Sequence, residues 1–104
     1  MEDRERLTEF EWDQGNLDRN YRKHGITPRE SEEIFFDENL RVVPDMKHQQ
    51  EEQRFVAIGK TFEGRVLFVV FTPRSHKVRV ISARRANRKE RRIYEEKIKK
   101  NSQV

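Results

Sequence analysis

Six consecutive apolar residues, Val66-Leu67-Phe68-Val69-Val70-Phe71, constrain this chain more than any other feature. A run this short, rich in β-branched and aromatic side chains, forms a strand. Its lack of polar alternation predicts a central strand covered on both faces. The flanking residues fit that reading. Residues 54–60 are rich in strand formers, and Glu63-Gly64 supplies a turn into the strand at 65–72. Pro73-Arg74-Ser75-His76 makes the next turn, and residues 77–83 alternate as an outer strand. Short connections make these three strands an antiparallel meander.

Charged residues form 40% of the chain and hydrophobic residues only 33%, a composition that borders on disorder. The apolar residues are concentrated, however: 14 of the 34 lie within residues 55–81. That clustering predicts a small folded core. The 104 residues fit a single domain spanning 1–104, with frayed ends at 1–8 and 100–104. No apolar run approaches the roughly 20 residues of a membrane span, and Met1-Glu2-Asp3-Arg4-Glu5-Arg6 is no signal peptide. With no cysteine, disulfides, thiolate zinc sites and cysteine nucleophiles are excluded together. A soluble, cytoplasmic protein is expected.

Phe10-Glu11-Trp12 alternates and reads as a short edge strand. Asp13 is the expected N-cap of a helix running through Leu17 and Tyr21, which share a face, to His24. Gly25 stops it. Thr27-Pro28-Arg29-Glu30 is a capping box with proline at the first helical position, and Ile34, Phe35 and Phe36 close that second helix. Residues 40–43 make a strand ended by Pro44, and 46–53 a polar, mobile loop. Asn87 with Glu90 starts a C-terminal helix through about Lys99, whose apolar stripe is Ile93, Tyr94 and Ile98. The predicted class is α+β: an antiparallel sheet of three to four strands, two N-terminal helices and one C-terminal helix.

The net charge of +4 conceals an asymmetry. Residues 1–59 carry 9 basic and 15 acidic side chains, a balance of −6; residues 60–104 carry 14 and 4, a balance of +10. A basic half rich in arginine suits a polyanion such as nucleic acid. In Val78-Arg79-Val80-Ile81-Ser82, alternation puts Val78, Val80 and Ser82 on one face and Arg79 and Ile81 on the other. An arginine inside such a strand needs an anionic partner, either phosphate or an acidic side chain of the fold. Arg84 and Arg85 precede a helix N-terminus, a suitable phosphate site or simply a solvated helix start. Arg88, Lys89 and Arg92 extend the basic strip. Lys23 and His24 end the first helix, where the helix dipole alone explains them. Trp12 is a core aromatic or a base-stacking one. His24, His48 and His76 are scattered, and with Asp45 they show no metal-ligand spacing. No metal or cofactor is expected.

Several blocks together resemble the BrnT toxin family: Phe10-Glu11-Trp12-Asp13, Asn20-Tyr21-Arg22-Lys23-His24-Gly25-Ile26, and Glu52-Gln53-Arg54-Phe55 with Ile58-Gly59. Arg79-Val80-Ile81-Ser82-Ala83-Arg84 and Glu90-Arg91-Arg92-Ile93-Tyr94-Glu95 complete the match, which covers residues 10–95. The departures are Asn87, where a threonine is usual, and Thr27-Pro28-Arg29 in place of a more apolar-aromatic helix start. The resemblance implies a type II toxin with a RelE-like ribonuclease fold, neutralised by a BrnA-like ribbon-helix-helix antitoxin in a heterotetramer that binds operator DNA through the antitoxin. It implies metal-independent cleavage of RNA that inhibits translation and growth.

Such cleavage needs an activated 2′-hydroxyl, a stabilised pentavalent phosphate and a protonated leaving oxygen. Arg79 and Arg84 are the candidates for phosphate stabilisation, and Lys23 for phosphate binding or proton transfer. His24 is the acid–base candidate, Arg54 a phosphate contact and Ser82 a positioning group. Arg85, Arg88, Lys89 and Arg92 are the RNA-binding candidates. The alternative is a non-catalytic basic module that binds nucleic acid or an acidic protein partner. It predicts salt-sensitive binding without cleavage products.

Overall fold

A computed structural model describes residues 9–12, 14–45 and 53–102. Its elements are β1 (Glu9–Glu11), α1 (Gln14–His24), α2 (Pro28–Glu33), a 3-10 turn (Ile34–Phe36), β2 (Arg41–Pro44), β3 (Phe55–Lys60), β4 (Val66–Arg74), β5 (Lys77–Arg85) and α3 (Arg88–Ser102). The sheet order is β1-β5-β4-β3-β2, with the apolar run in the middle strand, as its composition requires.

Strands β2 to β5 form the antiparallel meander. The sheet nevertheless has five strands, because β1 adds in parallel alongside Lys77–Arg79. Strand β5 is therefore flanked on both sides over that stretch and is not an outer strand there. The β4–β5 turn is also tighter than the sequence suggests. Pro73 and Arg74 pair with Val78 and Lys77, leaving Ser75 and His76 as a two-residue turn with φ of 47° and 75°. Positive φ at both positions matches the right-handed twist of the strands, and that demand overrides the usual preference for Asn-Gly.

Helix starts follow the local chemistry. Thr27 caps α2 through Glu30, with the reciprocal contacts of a capping box. Gly25, at φ +67°, ends α1 by donating its N–H to the Tyr21 carbonyl at 2.9 Å. The proposed Asp13 cap, the side chain of Leu17 and residues 46–52 lie outside the described residues. Tyr21 is exposed rather than part of an apolar face, and Phe36 is exposed while Ile34 and Phe35 are buried. Helix α3 extends to Ser102.

Two apolar layers sandwich the sheet. On one face Leu67, Val69, Phe71, Val78, Val80 and Ala83 pack beneath Ile26, Ile34 and Phe35. Phe35 meets Phe10 and Phe71 edge-on, with ring centroids 5.5 and 5.2 Å apart. Gly59 belongs to this layer for lack of space: a Cβ there would come within 3.0 Å of Ile34 and Leu40 side-chain carbons.

On the other face α3 packs on β3, with Tyr94 and Ile98 against Val56 and Ile58. Two of its polar contacts tie α3 to the segment before β2. The Tyr94 hydroxyl donates to Asp37 Oδ2 at 2.5 Å, and Lys97 Nζ donates to the Leu40 carbonyl at 2.5 Å. Because α3 sits over β3, Val66, Phe68 and Val70 are only half-buried. The apolar strand is fully covered on one face and partly open on the other. That open half, over β4 and β5, is where the basic residues gather.

Candidate functional site

The side-chain rows of β5 shift midway. Phe71 stands opposite Val80 and Val70 opposite Ser82, so Ile81 is an extra residue on β5. Such a bulge reverses the alternation beyond it. Val78 and Val80 face the core before the bulge and Ala83 faces it afterwards. Ser82 therefore does not share a face with Val78 and Val80, as simple alternation expected. It joins Arg79 and Arg84 on the open face, opposite Val70, Thr72 and Phe68 in the β4 row. Arg54, two residues before Val56, continues the matching β3 row, and its carbonyl accepts the Asp45 N–H at 2.8 Å.

Strand β1 brings a further group to this face. Glu11 stands directly opposite Arg79 in the parallel ladder, and Glu11 Oε1 lies 3.8 Å from Arg79 Nη1. The acidic partner supplied by the fold thus exists, at a distance too long for a hydrogen bond. Glu11 Oε1 is itself buried and, among the described residues, accepts no hydrogen bond. Sequence reading passed over Glu11, since no local signal announces a parallel pairing between the two ends of the chain.

Arg84 is held differently. Its Nη1 and Nη2 bind Glu90 Oε1 and Oε2 at 2.8 Å each, and the guanidinium lies 4.1 Å from the centre of the Phe68 ring. Glu90 also closes the expected capping box: Asn87 N–H donates to Glu90 Oε1, and Glu90 N–H to Asn87 Oδ1. One carboxylate thereby joins the end of β5 to the start of α3. The fork of Arg84 is filled by this pair, as in a structural staple.

Burial disfavours the Glu90 charge, but the hydrogen bonds from Arg84 and the Asn87 N–H, together with the Arg84 charge, outweigh it. Its pKa falls below the ordinary carboxylate value. A lowered folded pKa contributes stability that is present above the unfolded value of 4.5 and is lost as pH falls through the folded one. Glu90→Gln is expected to cost about 1–3 kcal/mol at pH 7. It is also expected to flatten the acid side of the stability curve, read as urea midpoints between about pH 2 and 7.

Lys23 and His24 lie in the exposed last turn of α1 with Arg22, where the helix dipole favours positive charge. Tyr21 and Gly25 share a surface groove with Phe62 and Arg65, so this turn sits at the end of the sheet where β4 begins and β5 finishes. Among the described residues neither Lys23 nor His24 makes a side-chain hydrogen bond or ion pair with the open face. Arg85, Arg88, Lys89 and Arg92 are exposed around the β5–α3 junction; Arg85, opposite Leu67, belongs to the β5 row that faces away from Arg79 and Arg84. Trp12 packs against the core layer and donates Nε1–H to Glu32 Oε2 at 2.8 Å, the core role of its two options. No group of three His, Asp or Glu residues able to hold a metal occurs among the described residues. His48 lies outside them. No described helix is long and apolar enough to cross a membrane.

A family model described as the ribonuclease toxin BrnT of type II toxin–antitoxin systems matches residues 12–90. The 1.1 Å crystal structure of the Brucella abortus ribonuclease toxin BrnT is similar in fold, with a TM-score of 0.59. It shares 26% identity and covers 77% of this chain and 97% of that one. No curated protein matches the chain.

Proposed function

Since the chain belongs to the BrnT ribonuclease toxin family of type II toxin–antitoxin systems, we propose that it is a metal-independent endoribonuclease acting on the open β4–β5 face. The observation that carries this reading is the β5 bulge, which gathers Arg79, Ser82 and Arg84 on the β4–β5 part of the sheet beside the part covered by α3. A flat, basic, half-apolar surface suits a single RNA strand, whose phosphates seek arginine and whose bases seek apolar faces.

In this mechanism the 2′-oxygen attacks the adjacent phosphorus and the 5′-oxygen leaves, with no covalent enzyme intermediate. Charge grows on the non-bridging oxygens, and Arg79, which stands beside Glu11 on the open face, is the guanidinium that stabilises it. Ser82, next in the same row, positions the phosphate by hydroxyl donation, and Arg54 contacts a neighbouring one. Arg84 contributes charge at the border while its main work is to hold α3 through Glu90. Arg85, Arg88, Lys89 and Arg92 bind the flanking RNA backbone. Lys23 and His24, exposed where β5 finishes, bind phosphates of RNA that extends past the sheet.

Toxicity calls for control, and we assign that to a BrnA-like ribbon-helix-helix antitoxin that forms a heterotetramer with the toxin, binds operator DNA and covers this face in the cytoplasm. The test is incubation of purified protein with RNA in EDTA. Fragments ending in 2′,3′-cyclic phosphate and 5′-hydroxyl are expected, blocked by stoichiometric antitoxin. Salt-sensitive RNA binding without any fragments would instead establish the non-catalytic basic module.

A further inference from the structure

We infer that Glu11 is the general base of the reaction, the group that takes the proton from the attacking 2′-hydroxyl. The inference rests on the ribonuclease reading above and deepens it. Three observations carry it. First, partners in a β-ladder share a face, so Glu11 opposite Arg79 puts its carboxylate on the open face beside the arginine assigned to the phosphate.

Second, among the described residues Glu11 Oε1 is shut off from solvent and accepts no hydrogen bond, and the nearest cation is Arg79 at 3.8 Å. A buried carboxylate oxygen left in this state is costly, which sets Glu11 apart from a carboxylate kept for a structural bond. The side chain as a whole remains 39% exposed, so a hydroxyl can reach it. Third, the backbone around Glu11 is fixed. Phe10 packs edge-on against Phe35, and Trp12 packs against the core and donates to Glu32. With both neighbours turned into the core, Glu11 is directed outward from a rigid support, as a preorganised base requires.

The separation between the two groups also suits the chemistry. In RNA the 2′-oxygen and a non-bridging oxygen of the adjacent phosphate are near neighbours. A base and a cation that are near but not hydrogen-bonded can each take one of them. Glu11 accepts the 2′-hydroxyl proton as the 2′-oxygen bonds to phosphorus and the bond from phosphorus to the 5′-oxygen breaks. The 5′-oxygen takes a proton from water, Glu11 returns its proton to solvent, and the products are a 2′,3′-cyclic phosphate and a 5′-hydroxyl. Among the described residues, the charged groups beside Glu11 are Arg79, Lys77 and Glu9 along the β1–β5 ladder, and Arg74 opposite Lys77 on β4.

The decisive experiment compares wild type, Glu11→Gln and Glu11→Asp on one RNA across pH, with thermal unfolding of each. Glu11→Gln is expected to lose about 10²–10⁴-fold in kcat with KM within a few-fold of wild type. It should also lose the acidic limb of the pH–rate profile. Glu11→Asp should be slower than wild type but keep that limb. A Glu11→Gln variant that cuts at the wild-type rate overturns the assignment, as does one that changes only KM and keeps the limb, which would make Glu11 a positioning residue for Arg79. Should Glu11→Gln fail to fold, the wild-type profile decides, since a rate without an acidic limb excludes a carboxylate base. If wild type itself yields no fragments, the ribonuclease reading has failed and this inference falls with it. Active wild type with equally active Glu11→Gln defeats the inference alone.

Discussion

Arg79→Ala is expected to lower RNA cleavage about 10²–10³-fold, with kcat falling far more than KM rises. The size follows from the position of the side chain. Arg79 is only 27% exposed, lies on the open face and has Glu11 Oε1 3.8 Å from its Nη1. A guanidinium there stabilises the charge that develops on the phosphate in surroundings partly shielded from water, where each such interaction is worth about 2–4 kcal/mol. Arg79→Lys keeps the charge but loses the planar fork, so its rate should fall between the two. Single-turnover cleavage together with far-UV circular dichroism separates this loss from unfolding. Arg84→Ala makes the contrast. Its guanidinium already binds Glu90 through two bonds, so the dominant loss should be in stability rather than in the chemical step. Equal catalytic losses with unchanged stability in both variants would show that the roles are shared.

Tyr94→Ala is expected to destabilise the protein by about 3–5 kcal/mol, a large part of the roughly 5–15 kcal/mol available to a small domain. Tyr94 is almost fully buried and is the centre of the layer that holds α3 on β3. Tyr94→Phe keeps the ring and removes the hydroxyl that donates to Asp37 Oδ2, which would then retain the Lys60 N–H at 2.8 Å. A loss of about 1–2 kcal/mol is expected. The two variants also differ in alkali. Burial first, then the hydrogen bond to Asp37 and its charge, raises the Tyr94 pKa well above its ordinary value of 10.0. A raised folded pKa contributes stability that is fully present below the unfolded value and is lost as pH rises through the folded one. Wild type should therefore weaken above about pH 10, and Tyr94→Phe should lack that component. Urea unfolding from neutral to strongly alkaline pH measures both effects.

Much of the fold is legible because its signals are short-range. The capping boxes at Thr27/Glu30 and Asn87/Glu90 are closed within three residues, and Gly25 ends α1 by its own backbone conformation. The run from Val66 to Phe71 identifies the central strand by composition alone. The family, too, was readable from blocks such as Lys23-His24-Gly25 and Ile81-Ser82-Ala83-Arg84.

The candidate site was less legible because its parts depend on register and on coverage. Alternation along β5 separates Arg79 from Ser82 only so far as the strand is regular. The extra residue at Ile81 is set by how β4 and β5 pack, not by anything local to that stretch. Glu11 reaches Arg79 through a parallel pairing between distant segments, and Arg84 is claimed by Glu90 only once α3 has docked. The sequence by itself thus determined the elements, the central strand and the basic character of the second half, all properties carried by neighbouring residues. Tertiary structure alone decided that Arg84 is bound twice by Glu90, and it alone set the Glu11 carboxylate beside Arg79. Those outcomes depend on cross-strand packing and on the half of the sheet that α3 leaves uncovered.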